Sequence, residues 1–405
     1  MPPSNPVGTS GRRRFLASAA AWAASPLLAA CRNAPAGATQ AAPASAGALY
    51  VADFRQPGFS DKEVLERAFR AWVQRGGTLH MERGRDYDLG RHWDESNVFP
   101  LFGMENAVLA GNGATLRVHT AGNVIYNVLY LAHYRNVRIE NLRGVDTGYR
   151  DSHRAGAKFI VLDAGQKDSV DLVLDNVAGE QLISFIHLQG RPGGPRVRGV
   201  RIQPNCRATR VFYALTCVDQ GDDVTGGFST FNCGRSYFPY GVNGHDLAIA
   251  IHNDGTMTGP RAETAILIKC YGRTTSRIKL RATFDGTIGA NGSCVTLEHQ
   301  HARSAPPSVI EDVDIVLNVA AGTQDPHGTH RVAFRSFDEN NVEETGPTSN
   351  IWRRIRLGGR LSPGTAPAIY SRARPSRATE IEIAPGTTGA DARRIQAAGF
   401  RFRYG

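Results

Sequence analysis

Between residues 219 and 301 the chain crowds acids, histidines, arginines and lysines among short apolar runs. One group is centred on histidine: His252-Asn253-Asp254, then Glu298-His299-Gln300-His301. Eliminative cleavage of a uronate chain needs a base for the proton α to the carboxylate and a cation to neutralise that carboxylate. His or Lys together with Arg does both without a metal. Neighbouring side chains on a strand point to opposite faces, so Glu298 and Gln300 are expected on one face and His299 and His301 on the other. Two imidazoles on one face suit a base or metal ligation. A second group is Gly221-Asp222-Asp223, then Asn243-Gly244-His245-Asp246, then Arg277-Ile278-Lys279. Asp-rich turns between strands and solvated surface imidazoles account for the same residues without chemistry. Asp325-Pro326-His327-Gly328 reads as a turn, and Tyr149 to Arg154 as a polar surface loop. No phosphate-binding glycine motif, serine nucleophile elbow or zinc spacing occurs.

Something must carry these groups, and the sequence shows what. Ser60 is an N-cap with Glu63 three residues on, a capping box, and Leu65, Phe69, Trp72 and Val73 make one apolar stripe. Gly76-Gly77 ends that helix. For some three hundred residues afterwards the phrases are short alternating strands parted by Gly, Asn and Asp. Val137, Leu172, Val200, Leu247, Ile278, Val313 and Ile355 align as equivalent positions, and the long gap between Val200 and Leu247 divides near Val224. Coils of roughly 22 residues with inserted loops give such a period. Each coil has an apolar row that only stacking can dry. The expectation is an all-β, right-handed parallel β-helix solenoid of about ten coils with an N-terminal capping α-helix, one domain over residues 48–405.

Val51-Ala52-Asp53-Phe54, the capped helix, Gly76-Gly77-Thr78-Leu79 and the Asp86-Tyr87-Asp88-Leu89 phrase together resemble the entry cap of the pectate-lyase superfamily. That resemblance implies the parallel β-helix and a substrate groove along one sheet, with catalytic groups from successive coils stacked into one site. The second polar group resembles the Gly-Asp-Asp, Gly-His-Gly and Arg-Ile-Lys series of polygalacturonases. It implies Asp222 and Asp223 as acid and base of an inverting hydrolysis, His245 beside them with Asp246 following, and Arg277 and Lys279 as clamps for substrate carboxylates. On that reading Asp223→Asn abolishes hydrolysis and leaves the thermal melt nearly unchanged. Asp325-Pro326-His327 is similar to part of the catalytic phrase of mannuronan C5-epimerases.

Arg12-Arg13-Arg14-Phe15-Leu16 before a small-residue apolar stretch resembles a twin-arginine export signal, and Leu28-Ala29-Ala30-Cys31 a lipobox. Residues 1–31 are therefore expected to be a signal peptide with Cys31 lipidated, and 32–47 a flexible linker. The expected destination is the periplasm, the outer membrane or the cell surface, with a lipid anchor as the only membrane contact. The 405-residue chain carries a formal charge of +10, and residues 1–30 hold three arginines and no acid, leaving the remainder at +7. An exported basic protein seldom meets nucleic acid, so an acidic polysaccharide is the expected partner. Cys206, Cys217, Cys233, Cys270 and Cys294 read as small buried hydrophobes rather than a disulfide framework. Together these features imply a lyase or glycoside hydrolase acting on an acidic, uronate-containing glycan. The alternative is a surface-anchored β-helix that binds glycan without turnover. Nothing in the residues demands a cofactor, a part for Ca²⁺ stays open, and a capped solenoid is expected to be a monomer.

Overall fold

The computed structural model describes residues 47–151, 153–219, 221–256, 264–288, 293–300, 306–326, 328–345, 347–361, 367–375, 379–390 and 395–405. The signal, lipobox and most of the linker lie outside these residues, as do His301 and His327. Contacts place Ala46–Gly405 in one compact unit.

Helix α1, Asp61–Arg75, begins on the expected capping box: the Ser60 hydroxyl accepts from the Glu63 N–H, and the Glu63 carboxylate accepts from the Ser60 N–H. Its stripe of Val64, Leu65, Ala68, Phe69 and Trp72 is buried. Phe69 meets Phe99 edge-on at 4.8 Å, and the Trp72 indole donates to the Gly77 carbonyl at 3.0 Å. The helix thus covers apolar surface that the first coil leaves without a partner coil.

Every strand pair between coils is parallel, and the strands fall into two long sheets and one short two-stranded pair, Pro347–Thr348 with Arg374–Pro375. The first runs from Leu49–Tyr50 through Gly77–His80, Glu105–Thr120, Arg135–Asp146, Ser169–Glu180, Val197–Ile202, Thr225–Phe231, Asn243–Asn253, Thr274–Gly286, Val309–Val319, Ile351–Arg360 and Thr379–Ile383 to Phe400–Tyr404. The second stacks eleven strands from Asn97–Phe102 to Ile395–Ala397. Chain order alternates between the sheets, one strand of each per coil, which is a parallel β-helix. Apolar side chains of both sheets meet inside it in a single core.

Register identifies the inward column of the first sheet as Val137, Leu172, Val200, Val224, His245, Ile278, Val313, Ile355 and Ile381. The sequence alignment is corrected at one coil: His245, not Leu247, stands level with Ile278. A histidine fills an aliphatic place because its two nitrogens are both satisfied there. Nε2 lies 2.7 Å from the Gly221 carbonyl and Nδ1 2.5 Å from the Tyr237 hydroxyl. A carbonyl only accepts, so Nε2 carries the proton and Nδ1 accepts from tyrosine.

At the entrance to each strand of the first sheet one residue is left-handed: Asn136, Asp171, Gly199, Asp223, Gly244, Arg277, Asp312 and Arg354, with φ between 51° and 79°. This column bends each coil within the first sheet, near the start of the strand, which explains the Asn, Asp and Gly punctuation. Gly244 is required for space as well as φ, since a Cβ there would stand 2.4 Å from Asp223 Oδ1.

Candidate active site

The second polar group does not converge. Asp222 is buried, paired with Arg196 at 2.6 Å and accepting the Asn243 N–H at 3.1 Å; burial pushes its carboxyl up, against the pull of Arg196. His245 is interior, and burial drops its imidazole to about 4. Asp223 and Arg277 belong to the exposed turn column, 3.9 Å apart across Gly244. Asp246 points outward to Arg281 at 2.8 Å, and Lys279 stands beside it in register on the same exposed face. Asp222 is buried and Asp223 exposed in the left-handed column, so the two carboxyls sit in different environments. The acid–Gly–Arg spacing is a ladder between coils, and Asp219, Gly241 and Arg273 repeat it.

The histidine group divides likewise. His252 is outward on the first sheet, stacked on Phe231 at 5.1 Å and hydrogen-bonded to Asp285. Asp254 is held by the Thr256 hydroxyl and N–H in a turn, which lowers its carboxyl to about 2. His299 is buried against Trp352, 3.0 Å from the Ile351 carbonyl. Glu298 faces outward on the second sheet, in a 2.8 Å ion pair with Lys269, while Gln300 on the same strand is buried. Asp325 closes its turn on the Thr329 N–H and pairs with buried Arg331 at 3.0 Å. Cys206, Cys217, Cys233, Cys270 and Cys294 are buried thiols.

A different cluster forms on the outer face of the second sheet. Its central row runs Tyr130, Val161, His187, Thr216, Phe238 in register. Each of Val161, Thr216, Leu267, Thr296 and Ala333 lies between two inward residues yet is itself buried, so the face is recessed. Lys158, on the row Lys158, Ser184, Tyr213, Arg235, reaches across to His187, with Nζ 3.5 Å from Nε2. Burial lowers Lys158 to about 8, Asp163 opposing. Burial and then Lys158 push His187 well below its usual value, so the imidazole is neutral at pH 7. His187 Nδ1, Thr216 Oγ1 and Ser184 Oγ have no hydrogen-bond partner among the described residues. The lysine amine donates to Nε2, which leaves the ring proton on Nδ1 as a donor. Tyr130 donates to Asp163 at 2.6 Å, Gln189 to the same carboxylate at 2.8 Å, and burial with Asp163 raises the phenol. Downstream, Tyr213 and Phe238 stack at 5.9 Å and Arg235 lies over both rings.

Sequence reasoning passed over this cluster because it looked to the turns. A signal was present: Lys158, one of five lysines, interrupts Ala157-Lys158-Phe159-Ile160-Val161-Leu162, and His187 interrupts Phe185-Ile186-His187-Leu188. A titratable side chain in so apolar a strand has its ionisation shifted by burial. Among the described residues no group of three or more His, Cys, Asp or Glu is placed to hold a metal ion.

The two alternating sheets, with a recessed polar and aromatic face on the second, define a parallel β-helix protein. No protein-family model matches the chain, and no curated protein matches it. Among solved structures it is similar to the catalytic domain of Agl-KA, at 14% identity over 92% of this chain and 70% of that one, with a TM-score of 0.40. It is also similar to the catalytic domain of a GH87 alpha-1,3-glucanase in complex with tetrasaccharides, at 13% identity over 90% and 69%, with a TM-score of 0.44.

Proposed function

We propose that the chain is an exported polysaccharide-active enzyme that cleaves an acidic, uronate-containing glycan by β-elimination on the recessed face of the second sheet. The observation that carries this reading is Lys158 against His187: an amine lowered to about 8, 3.5 Å from a neutral imidazole whose Nδ1 has no partner among the described residues. In its neutral form Lys158 removes the proton α to the uronate carboxylate. That electron pair becomes the C4–C5 double bond, the C4–O bond breaks, and the leaving oxygen takes a proton from water. His187 Nδ1–H donates to the substrate carboxylate, where charge builds up in the transition state. Tyr213 and Phe238 supply flat apolar surface for sugar rings.

Elimination is favoured over hydrolysis by carboxylate spacing. Inverting hydrolysis needs two carboxyls about 6.5–9.5 Å apart. Along the row Asp163, Gln189, Val218, Tyr240, Lys269, Glu298 the two carboxyls stand five strands apart, roughly 24 Å, and each is already engaged, while Asp219 beside that row is held by Arg273. With this activity go twin-arginine export, lipidation at Cys31, an envelope or cell-surface location and a monomeric state; the N-terminal motifs support the first three. Cys31→Ala is expected to move the protein from the membrane to the soluble fraction.

The test is incubation with a panel of polyuronates, following ultraviolet absorbance of the unsaturated product alongside reducing ends. Both should appear together. Reducing ends alone mean hydrolysis, and neither on any glycan means a binding protein without turnover.

A further inference from the structure

The face opposite in character to the recessed site is the outer face of the first sheet, and most of it is self-neutralised. Arg356 bridges Asp314 and Glu382, Arg281 holds Asp246, Arg138 holds Glu140 and Asp175, and Arg143 holds Glu180. Arg201 and Arg207 are among the exceptions: both are exposed, and neither guanidinium is paired with a carboxylate among the described residues. Arg201 faces Val173 and Thr225 in register, Arg207 faces Ala178 and Ser229. Four residues separate Thr225 from Ser229, so the two cations stand roughly 13 Å apart across the coil.

Beside them, two rows are built mainly of small residues: Ser229, Ala250 and Thr283 lie in one, and Gly227 and Ala248 lead to Arg281 in the other, with Ala248, Ala250 and Thr283 exposed. Asp246, paired with Arg281, bounds them on one side, and Phe231 stacked on His252 bounds them on the other. The result is a flat shelf of small and hydroxylated residues with two unneutralised cations along one edge.

We infer that this shelf is a second, non-catalytic binding surface for an anionic polysaccharide. The small floor lets a sugar ring approach the strand backbone, the hydroxyls of Ser229 and Thr283 match sugar hydroxyls, and the separated arginines match carboxylates repeated along a chain. An anionic lipid surface is held by basic residues together with apolar anchors, and the shelf has none: the nearest exposed ring, Phe231, is stacked against His252. The class of glycan rests on the reading of the recessed site; the binding does not, and it is measured with that site disabled.

The experiment uses the full chain carrying Lys158→Met, with retention in polyuronate gels and sedimentation with polyuronate read at several salt concentrations. Retention is expected to persist. Adding Arg201→Gln and Arg207→Gln is expected to weaken it about tenfold or more at low salt, equivalent to 1.4 kcal/mol or more, the difference shrinking as salt rises. The Arg201→Lys, Arg207→Lys pair keeps the charge and should restore retention, which separates charge from folding. Unchanged retention in the glutamine pair, no rescue by lysine, or binding to phosphatidylglycerol vesicles in place of polyuronate would overturn the inference. Loss of retention in the glutamine pair, in a protein that turns over no polyuronate at all, would sink the recessed-site reading and leave the shelf standing.

Discussion

Lys158 and His187 form a functional pair because a recessed floor strips water from both. An amine with a free-solution value near 10.5 lowered to about 8 becomes neutral in a pH range where a surface lysine stays charged. Turnover is therefore expected to rise about tenfold per pH unit below about 8 and to level off above it, read from kcat/KM against pH. His245 makes the opposite use of burial. Its folded value of about 4 lies below the unfolded 6.5, so the unfolded chain binds a proton that the fold refuses. Stability is whole above pH 6.5 and declines as pH falls towards 4. His245→Gln does not titrate, so the melting-temperature gap between parent and variant should narrow over that window. The carboxylates, cations and histidines were legible as residue types, but which way each one pointed was not. Asp222, His245 and His299 are buried polar residues, and only their partners in the fold, Arg196, Tyr237 and the Ile351 carbonyl, reveal that.

At the scale of elements, the cap and the turns do most of the specifying. The Ser60–Glu63 box was readable from sequence because both halves lie within one helical turn. Ser60→Ala is expected to cost about 1 kcal/mol, seen as a lower chemical-denaturation midpoint with an unchanged slope. Gly244 is a stricter requirement, with φ of 79° and a Cβ position already occupied by Asp223. Gly244→Ala combines left-handed strain of about 1–2 kcal/mol with displacement of Asp223; Asp223→Ala in the same chain should recover part of the loss. Coil phase was harder to read. Aligning aliphatics finds Val200, Ile278 and Val313, but the coil whose inward residue is His245 slips by two, and a slip of two keeps the face and so leaves no contradiction in the pattern.

Across the whole molecule, stacking explains why one row of short strands yields two long and different faces. Single strands of alternating pattern cannot dry an apolar row alone, and eleven coils piled in register can. Ile278 sits mid-column with neighbours His245 and Val313, so Ile278→Ala should cost about 2–5 kcal/mol in thermal or denaturant unfolding. The same geometry distributes function: the second sheet gathers Lys158, His187, Tyr130 and Asp163 from consecutive coils, while the first pairs many of its charges coil to coil and leaves Arg201 and Arg207 without a carboxylate partner among the described residues. The most direct measurement is formation of unsaturated product from polyuronate by Lys158→Met and by Asp223→Asn, side by side with the parent protein. The account predicts a fall of about 10²–10⁴-fold for Lys158→Met and a rate near the parent for Asp223→Asn. An active Lys158→Met with a dead Asp223→Asn would contradict it and return the chemistry to the turn column.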